Sequence, residues 1–325
     1  MRLKKALALT LFLCAPPLNA QNKWYKFSKA FITQHYNGTD FSAIGSVQAS
    51  EAYPAHTIHS VSCGGNDGEL HIGIPGNGVV WTNAGSEAIS GLAGQTTSDF
   101  GVVAEPPNVH AALENGLVAA DGQSAQFLGY FRVWNEGHDT GTVYASNPHH
   151  VLELHPVWGI QMGSVNNAPD GSVVFSMPHY HGYGASKFRS LLESASTWLK
   201  VYEDVSFVYV QMPRAQNFYQ IRVTIRQVKP YAGGRAAVAD VYSSATGTRV
   251  FRNLTLVASS GSNITAQFVV GRSMYLLGFF SVNLAKAANF AHSHSGQAAA
   301  ISAPGSLEFF AFGLPTGRAV TTCGS

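Results

Sequence analysis

Hydrophobic and polar residues alternate along this chain over short stretches that end in glycine-, proline- and asparagine-rich turns, a pattern of strands rather than helices. Glu69-Leu-His-Ile-Gly-Ile74 alternates between the turn Cys63-Gly-Gly-Asn-Asp-Gly68 and the turn Pro75-Gly-Asn-Gly78, and Val79-Val-Trp81 stands where a hairpin partner belongs. Residues 101–105 predict a short strand stopped by Pro106-Pro107, and residues 108–115 one or two helical turns. The aromatic and β-branched runs 125–134 and 150–158 predict two long strands, with a loop over 135–148. Residues 21–60 are aromatic without a clean period and predict one strand with irregular flanks, while the small, polar residues 82–98 predict a long loop.

One stretch in the second half has a helical period: Phe188, Leu191, Leu192, Ala195, Trp198 and Leu199 predict an amphipathic helix over 186–201. Strands are predicted at 205–211, 217–226, 236–242, 249–257, 265–270, 273–284 and 307–312, and Pro169-Asp-Gly171 marks a linker. The expectation is a mainly β chain: an OB-like small barrel over 21–165, then an antiparallel β-sandwich over 166–325 that carries the helix. No sequence repeat relates the halves. A charged fraction of only 12 %, with 33 glycines and 11 % aromatics, suits strands joined by tight turns and excludes a helical bundle, and 46 % hydrophobic content excludes disorder.

Arg2, Lys4 and Lys5, the apolar run Ala6 to Ala15 and the ending Leu18-Asn19-Ala20 have the order of a cleavable signal peptide over 1–20, which predicts a secreted or periplasmic protein. No other stretch is long and apolar enough to predict a transmembrane helix. The first 20 residues hold three of the 20 basic residues and none of the 18 acidic ones, which leaves 17 against 18 after cleavage. That balance argues against a nucleic-acid partner, although a local basic patch is compatible with neutral totals. Of the three cysteines, Cys63 and Cys323 remain, and an even pair in an exported chain predicts a Cys63–Cys323 disulfide. The alternative is two free thiols on separate modules.

Side chains alternate across a strand, so Glu69 and His71 share one face of 69–74, and Glu153 and His155 share one face of 151–157. If the two strands are neighbours, these residues converge. Two imidazoles and one or two carboxylates are competent ligands for a divalent metal such as zinc. His71, Glu153 and His155 are the candidate metal ligands, Glu105 the candidate catalytic base, and Arg132 and Glu69 further members of the polar cluster. The alternative is that these are the polar outward faces of half-buried strands. Other histidines cluster at His56/His59, His149/His150, His179/His181 and His292/His294.

Four motifs, Asp67-Gly-Glu-Leu-His71, Val103-Ala-Glu-Pro106, Phe127-Leu-Gly-Tyr-Phe131 and Leu152-Glu-Leu-His-Pro-Val157, resemble in order and spacing the D-G-D-x-H, E-I-P, G-x-x-F and E-L-H-P-V motifs of a family of small exported bacterial proteins without an assigned activity. The resemblance covers about residues 60–160. It implies a compact OB-like barrel and marks His71, Glu105, Glu153 and His155 as shared polar positions, but it implies no reaction. The chain departs from that family in Trp134-Asn-Glu-Gly-His-Asp139, where the family has a shorter turn, and in its whole second half. No G-x-S-x-G, H-E-x-x-H or phosphate-cradling glycine loop is present.

Three functions remain open at the level of sequence. The favoured one is a non-enzymatic exported binding or envelope-surface protein. The second is a metal-dependent hydrolase with its site on the first module. The third is a polysaccharide-binding module, which needs exposed aromatics, with Trp81, Trp134 and Trp158 as candidates.

Overall fold

The computed structural model describes residues 24–29, 32–33, 44–55, 69–75, 79–81, 101–106, 109–138, 142–167, 199–212, 218–231, 234–243, 246–259, 262–294, 297–301 and 306–314. Cys63, Cys323, residues 1–20, the histidines at 56, 59, 179 and 181, and residues 186–198 of the expected helix lie outside them. In chain order the strands are β1 (Trp24–Ser28), β2 (Ile44–Pro54), β3 (Ile72–Pro75), β4 (Val79–Trp81), β5 (Gly101–Ala104), β6 (Gln123–Val133), β7 (Leu152–Met162), β8 (Val165–Asn167), β9 (Lys200–Glu203), β10 (Phe207–Gln211), β11 (Phe218–Tyr231), β12 (Gly234–Tyr242), β13 (Arg249–Ser259), β14 (Ser273–Val282), β15 (Ala299–Ala300) and β16 (Leu307–Gly313). Among the described residues, helices α1 (Ala111–Ala119) and α2 (Leu284–Ser293) accompany them.

The first barrel closes through β2, β3, β5, β7 and β6 and back to β2. All its pairings are antiparallel except β5 with β7, and α1 fills the connection between β5 and β6. Numbered within the barrel, the strands run 1-2-3-5-4-1 with the third and fifth parallel, an OB topology. The expected hairpin of 69–74 with 79–81 does not form. Both edges of β3 are taken, by β2 and β5, so β4 pairs with β2 instead, with Val47 opposite Trp81.

The second half is mainly antiparallel and strand-rich as expected, but the opposed faces arise from one sheet closing on itself. β11, β12, β13, β16 and β14 form a barrel in which the last strand, β16, inserts between β13, to which it is parallel, and β14. Its order is again 1-2-3-5-4-1, so the two halves share a topology without sharing a sequence repeat. A separate four-stranded antiparallel sheet, β1-β10-β9-β15, joins the N-terminal strand to residues from the second half.

Two local expectations are corrected. Residues 265–270 are not a strand: Thr265–Gln267 is a 3₁₀ turn, in which the Thr265 hydroxyl donates to the Ser262 carbonyl at 2.8 Å and so competes with any strand ladder. Lys200 and Val201, assigned to the end of the helix, pair in β9 with Gln211 and Val210. Helix α2 had no predicted counterpart. Asn283 caps it by accepting from the Lys286 amide at 3.0 Å, and its buried stripe is made of Leu284, Ala287 and Ala291.

The core is continuous through both barrels and the small sheet. β6 shows why. Its first half alternates between exposed and buried residues, but Tyr130, Phe131, Arg132 and Val133 are all buried. From Tyr130 onward the outer face of the first barrel is covered by β14 and β16 of the second. Tyr130 packs 4.4 Å from Phe310 between ring centroids, its hydroxyl donates to Glu308 at 2.9 Å, and the Val133 amide donates to the Ser281 hydroxyl at 3.0 Å. Among the described residues no helix is long and apolar enough to cross a membrane.

Candidate functional site

Strand register assembles a polar cluster on this covered face. β3 pairs Ile72 with Ala104 and β5 pairs Ala104 with Leu154, so His71, Glu105 and His155 fall side by side just beyond those partners. In the neighbouring row β6 places Arg132 directly opposite Glu153. Glu105 is fixed at the end of β5 by backbone bonds in both directions, its amide donating to Leu154 at 2.9 Å and its carbonyl accepting from Val157 at 3.1 Å. Glu69 and His71 lie in the extended lead-in to β3, held by Leu70 donating to the Pro106 carbonyl at 3.1 Å and by the His71 carbonyl accepting from Ala55 at 2.9 Å.

Every site residue named from the sequence is therefore in one place, with Cys63 and Cys323 the exceptions outside the described residues. None of Glu69, His71, Glu105, Arg132, Glu153 and His155 is more than 8 % exposed. The solvated-face alternative does not describe them. The strands are buried on both faces, because the loop between β6 and β7 and the second barrel cover the polar side.

The residues do not group as His71 with Glu153 and His155. Two sets of ligand-capable atoms share Glu105: Glu69, His71 and Glu105 on one side, Glu105, Glu153 and His155 on the other, the atoms of each set lying within 4.8 Å of one another. In the first set His71 Nε2 is 3.4 Å from Glu69 Oε1 and 3.7 Å from Glu105 Oε1; His155, of the second set, brings Nε2 within 3.5 Å of the other Glu69 oxygen. A tetrahedral ion about 2.1 Å from each donor needs donors about 3.4 Å apart, so the two spacings from His71 Nε2 are close to two edges of such a site. His155 Nδ1 ion-pairs with Glu105 Oε2 at 2.7 Å and lies 3.6 Å from Glu153, an arrangement that orients the ring with Nε2 toward Glu69. The second set is the poorer place for a cation, because Arg132 already donates to Glu153 at 2.9 Å.

The same guanidinium donates to Glu136 and to the Phe280 carbonyl at 3.1 Å, and stands over the Phe279 ring at 4.8 Å. It thus ties the cluster to β14 of the second barrel. His150 and His138 complete the surroundings: His150 Nε2 is 3.5 Å from Glu153, and the two imidazoles stack at 4.9 Å. The sequence offered a signal for these three, since Glu136 and His138 lie in the stretch that departs from the resembling family and His150 is in a histidine pair. Of the named tryptophans, Trp134 is buried and Trp158 packs on Phe310, while the Trp81 side chain lies outside the described residues.

Four carboxyl groups face one guanidinium, and the fields follow. Burial alone lowers the basicity of His71, but Glu105 and Glu69 outweigh it and raise its pKa to about 9. His155 is raised well above its ordinary value in the same way, against burial, chiefly by Glu105. Burial favours the neutral form of Glu153, yet Arg132, His150 and His155 hold it well below the ordinary carboxylate range. Glu136 is pushed up to about 7 by burial, with Arg132 opposing only in part. The site concentrates negative charge that protons on imidazole, or a cation, neutralise. No protein-family model, curated protein or solved structure matches the chain.

Proposed function

We propose that this is an exported, non-enzymatic binding protein whose first barrel holds one divalent cation of the zinc class, with Glu69, His71 and Glu105 as donors. The observation that carries the reading is that ligand atoms of Glu69, His71 and Glu105 lie within 4.8 Å of one another, with His71 Nε2 3.4 and 3.7 Å from the two carboxylates, too long for strong hydrogen bonds and close to the donor spacing of a tetrahedral ion. The chemistry of the set, one imidazole and two carboxylates, also suits zinc better than calcium or magnesium, which take all-oxygen shells. Export rests on the leader over residues 1–20.

The hydrolase reading asks for more than donors. Glu105 as general base needs a metal-bound water and an open position for substrate, and the burial of all three donors favours retention of the ion over turnover. The test is metal analysis of the purified mature protein, followed by titration of the chelator-treated protein with Zn²⁺. One ion per chain, with binding lost in His71→Ala and Glu105→Gln, is the expected result. A chain that carries no ion and whose thermal midpoint is unchanged by Zn²⁺ would overturn the reading.

A further inference from the structure

The even charge of the mature chain hides a separation. Residues 21–165 hold 4 basic and 12 acidic residues, whereas residues 218–313 hold 8 basic residues and only two acidic ones, Asp240 and Glu308. Both of those carboxylates are buried. The surface of the second barrel therefore presents arginine and lysine with no exposed carboxylate to balance them.

Register concentrates part of this charge. β12 pairs Tyr242 with Arg249 of β13, β11 pairs Arg222 with Tyr242, and β14 pairs Tyr275 with the same Arg222. Directly paired residues project from the same side of a sheet, so Tyr242, Arg222 and Tyr275 form one row across three strands, and Arg249, past a register irregularity between β12 and β13, reaches the same side, where it meets Asp240. The neighbours Val223 and Val241 point into the barrel and are fully buried, which puts the row on the outside. Beside it Arg226 and Arg249 donate to the same Asp240 oxygen, at 2.7 and 2.9 Å, and Arg226 also donates to the Tyr242 hydroxyl at 3.3 Å. One buried carboxylate thus fixes two guanidiniums in place and leaves a surplus positive charge facing outward. Tyr275 is 40 % exposed.

We propose that this outer face of the second barrel binds an acidic polysaccharide, one bearing carboxylate or phosphate groups along a hydroxyl-rich chain. Guanidinium forks match such anions in two-point contact, and the tyrosines offer apolar ring surface with a hydroxyl to the sugar. Nucleic acid is the less suitable polyanion for two reasons. Its dense phosphates would meet the acidic first barrel, and two tyrosines are short of the successive stacking rings that single strands use. This site is independent of the cation proposed for the first barrel.

The test uses the full mature chain and measures retention on a polygalacturonate affinity gel, with neutral dextran and oligodeoxythymidylate as comparisons. Retention by polygalacturonate that weakens with added salt is expected. The variant Arg222→Gln/Arg249→Gln should bind about tenfold more weakly, equivalent to two modest charged contacts, while Arg222→Lys/Arg249→Lys keeps most of the binding. Thermal unfolding confirms that each variant is folded. Absent retention, equal retention on dextran, or an unaffected glutamine variant overturns the proposal. Tighter binding of the oligonucleotide overturns it in favour of nucleic acid.

Discussion

Arg132 sits at the centre of the site's electrostatics, and removing it isolates a charge. Its guanidinium is wholly buried, and Glu153, to which it donates at 2.9 Å, is buried as deeply. Breaking a buried pair from one side costs more than the pair is worth, because the remaining charge has lost its partner. Arg132→Met should therefore destabilise the protein by about 3–5 kcal/mol in urea unfolding, and adding Glu153→Gln should recover part of the loss. The stacked imidazoles make a second prediction. Burial lowers the pKa of His138, helped by the adjacent His150, while Glu153 raises that of His150 against burial. Proton-detected titration should find His150 above and His138 below the ordinary value of about 6.5. Since His150 is raised in the folded state, the stability it contributes is fully present below about pH 6.5 and is lost as pH rises through the raised value. A His150 that titrates below His138 would refute this assignment of charge.

At the scale of elements, close backbone approach decides what the strands around the site tolerate. Gly73 in β3 faces the turn at residues 145 and 146, and a Cβ there would stand 1.8 Å from the Ala145 carbonyl oxygen. A backbone atom cannot move aside as a flexible side chain can, so Gly73→Ala should cost at least the roughly 1–3 kcal/mol of an overpacked core, read as a lower urea midpoint. It should also weaken Zn²⁺ binding, because β3 carries His71 into the cluster. Strand existence and spacing were largely legible in the sequence, as for β6, β7 and β11 to β14, because alternation reports a half-buried surface directly. Pairing was not: β4 joins β2 only because β3 has no free edge, and nothing in Val79-Val-Trp81 reveals that. Helix α2 escaped notice because its buried stripe, Leu284, Ala287 and Ala291, is mostly alanine, which adds little to a hydrophobic period.

For the whole molecule, the decisive feature is that the barrels share one core and a polar seam. Tyr130 to Glu308, Arg132 to the Phe280 carbonyl and Val133 to Ser281 cross from β6 to β14 and β16. Barrels joined in this way should unfold together, so calorimetry is expected to give one transition with equal calorimetric and van't Hoff enthalpies. Tyr130→Phe should lower the midpoint of that single transition by the loss of one buried hydrogen bond, about 1 kcal/mol. Two resolved transitions, with Tyr130→Phe affecting only one, would show the barrels to be independent.

The sequence by itself determined that the chain is built of strands, that the first half is an OB-like barrel, and which polar residues share a strand face. Period-two alternation is a local property, and Glu153 and His155 need no partner to point the same way. The tertiary structure alone decided that Glu105 joins Glu69 and His71, that Glu153 belongs to Arg132, and that all are buried. Those outcomes depend on strand order, on the parallel pairing of β5 with β7, and on a second barrel docked over a face that alternation marked as polar. Charge followed the same division. The totals of 20 basic and 18 acidic residues were readable from the chain, but only the fold buried Asp240 and Glu308 and left the arginines outside.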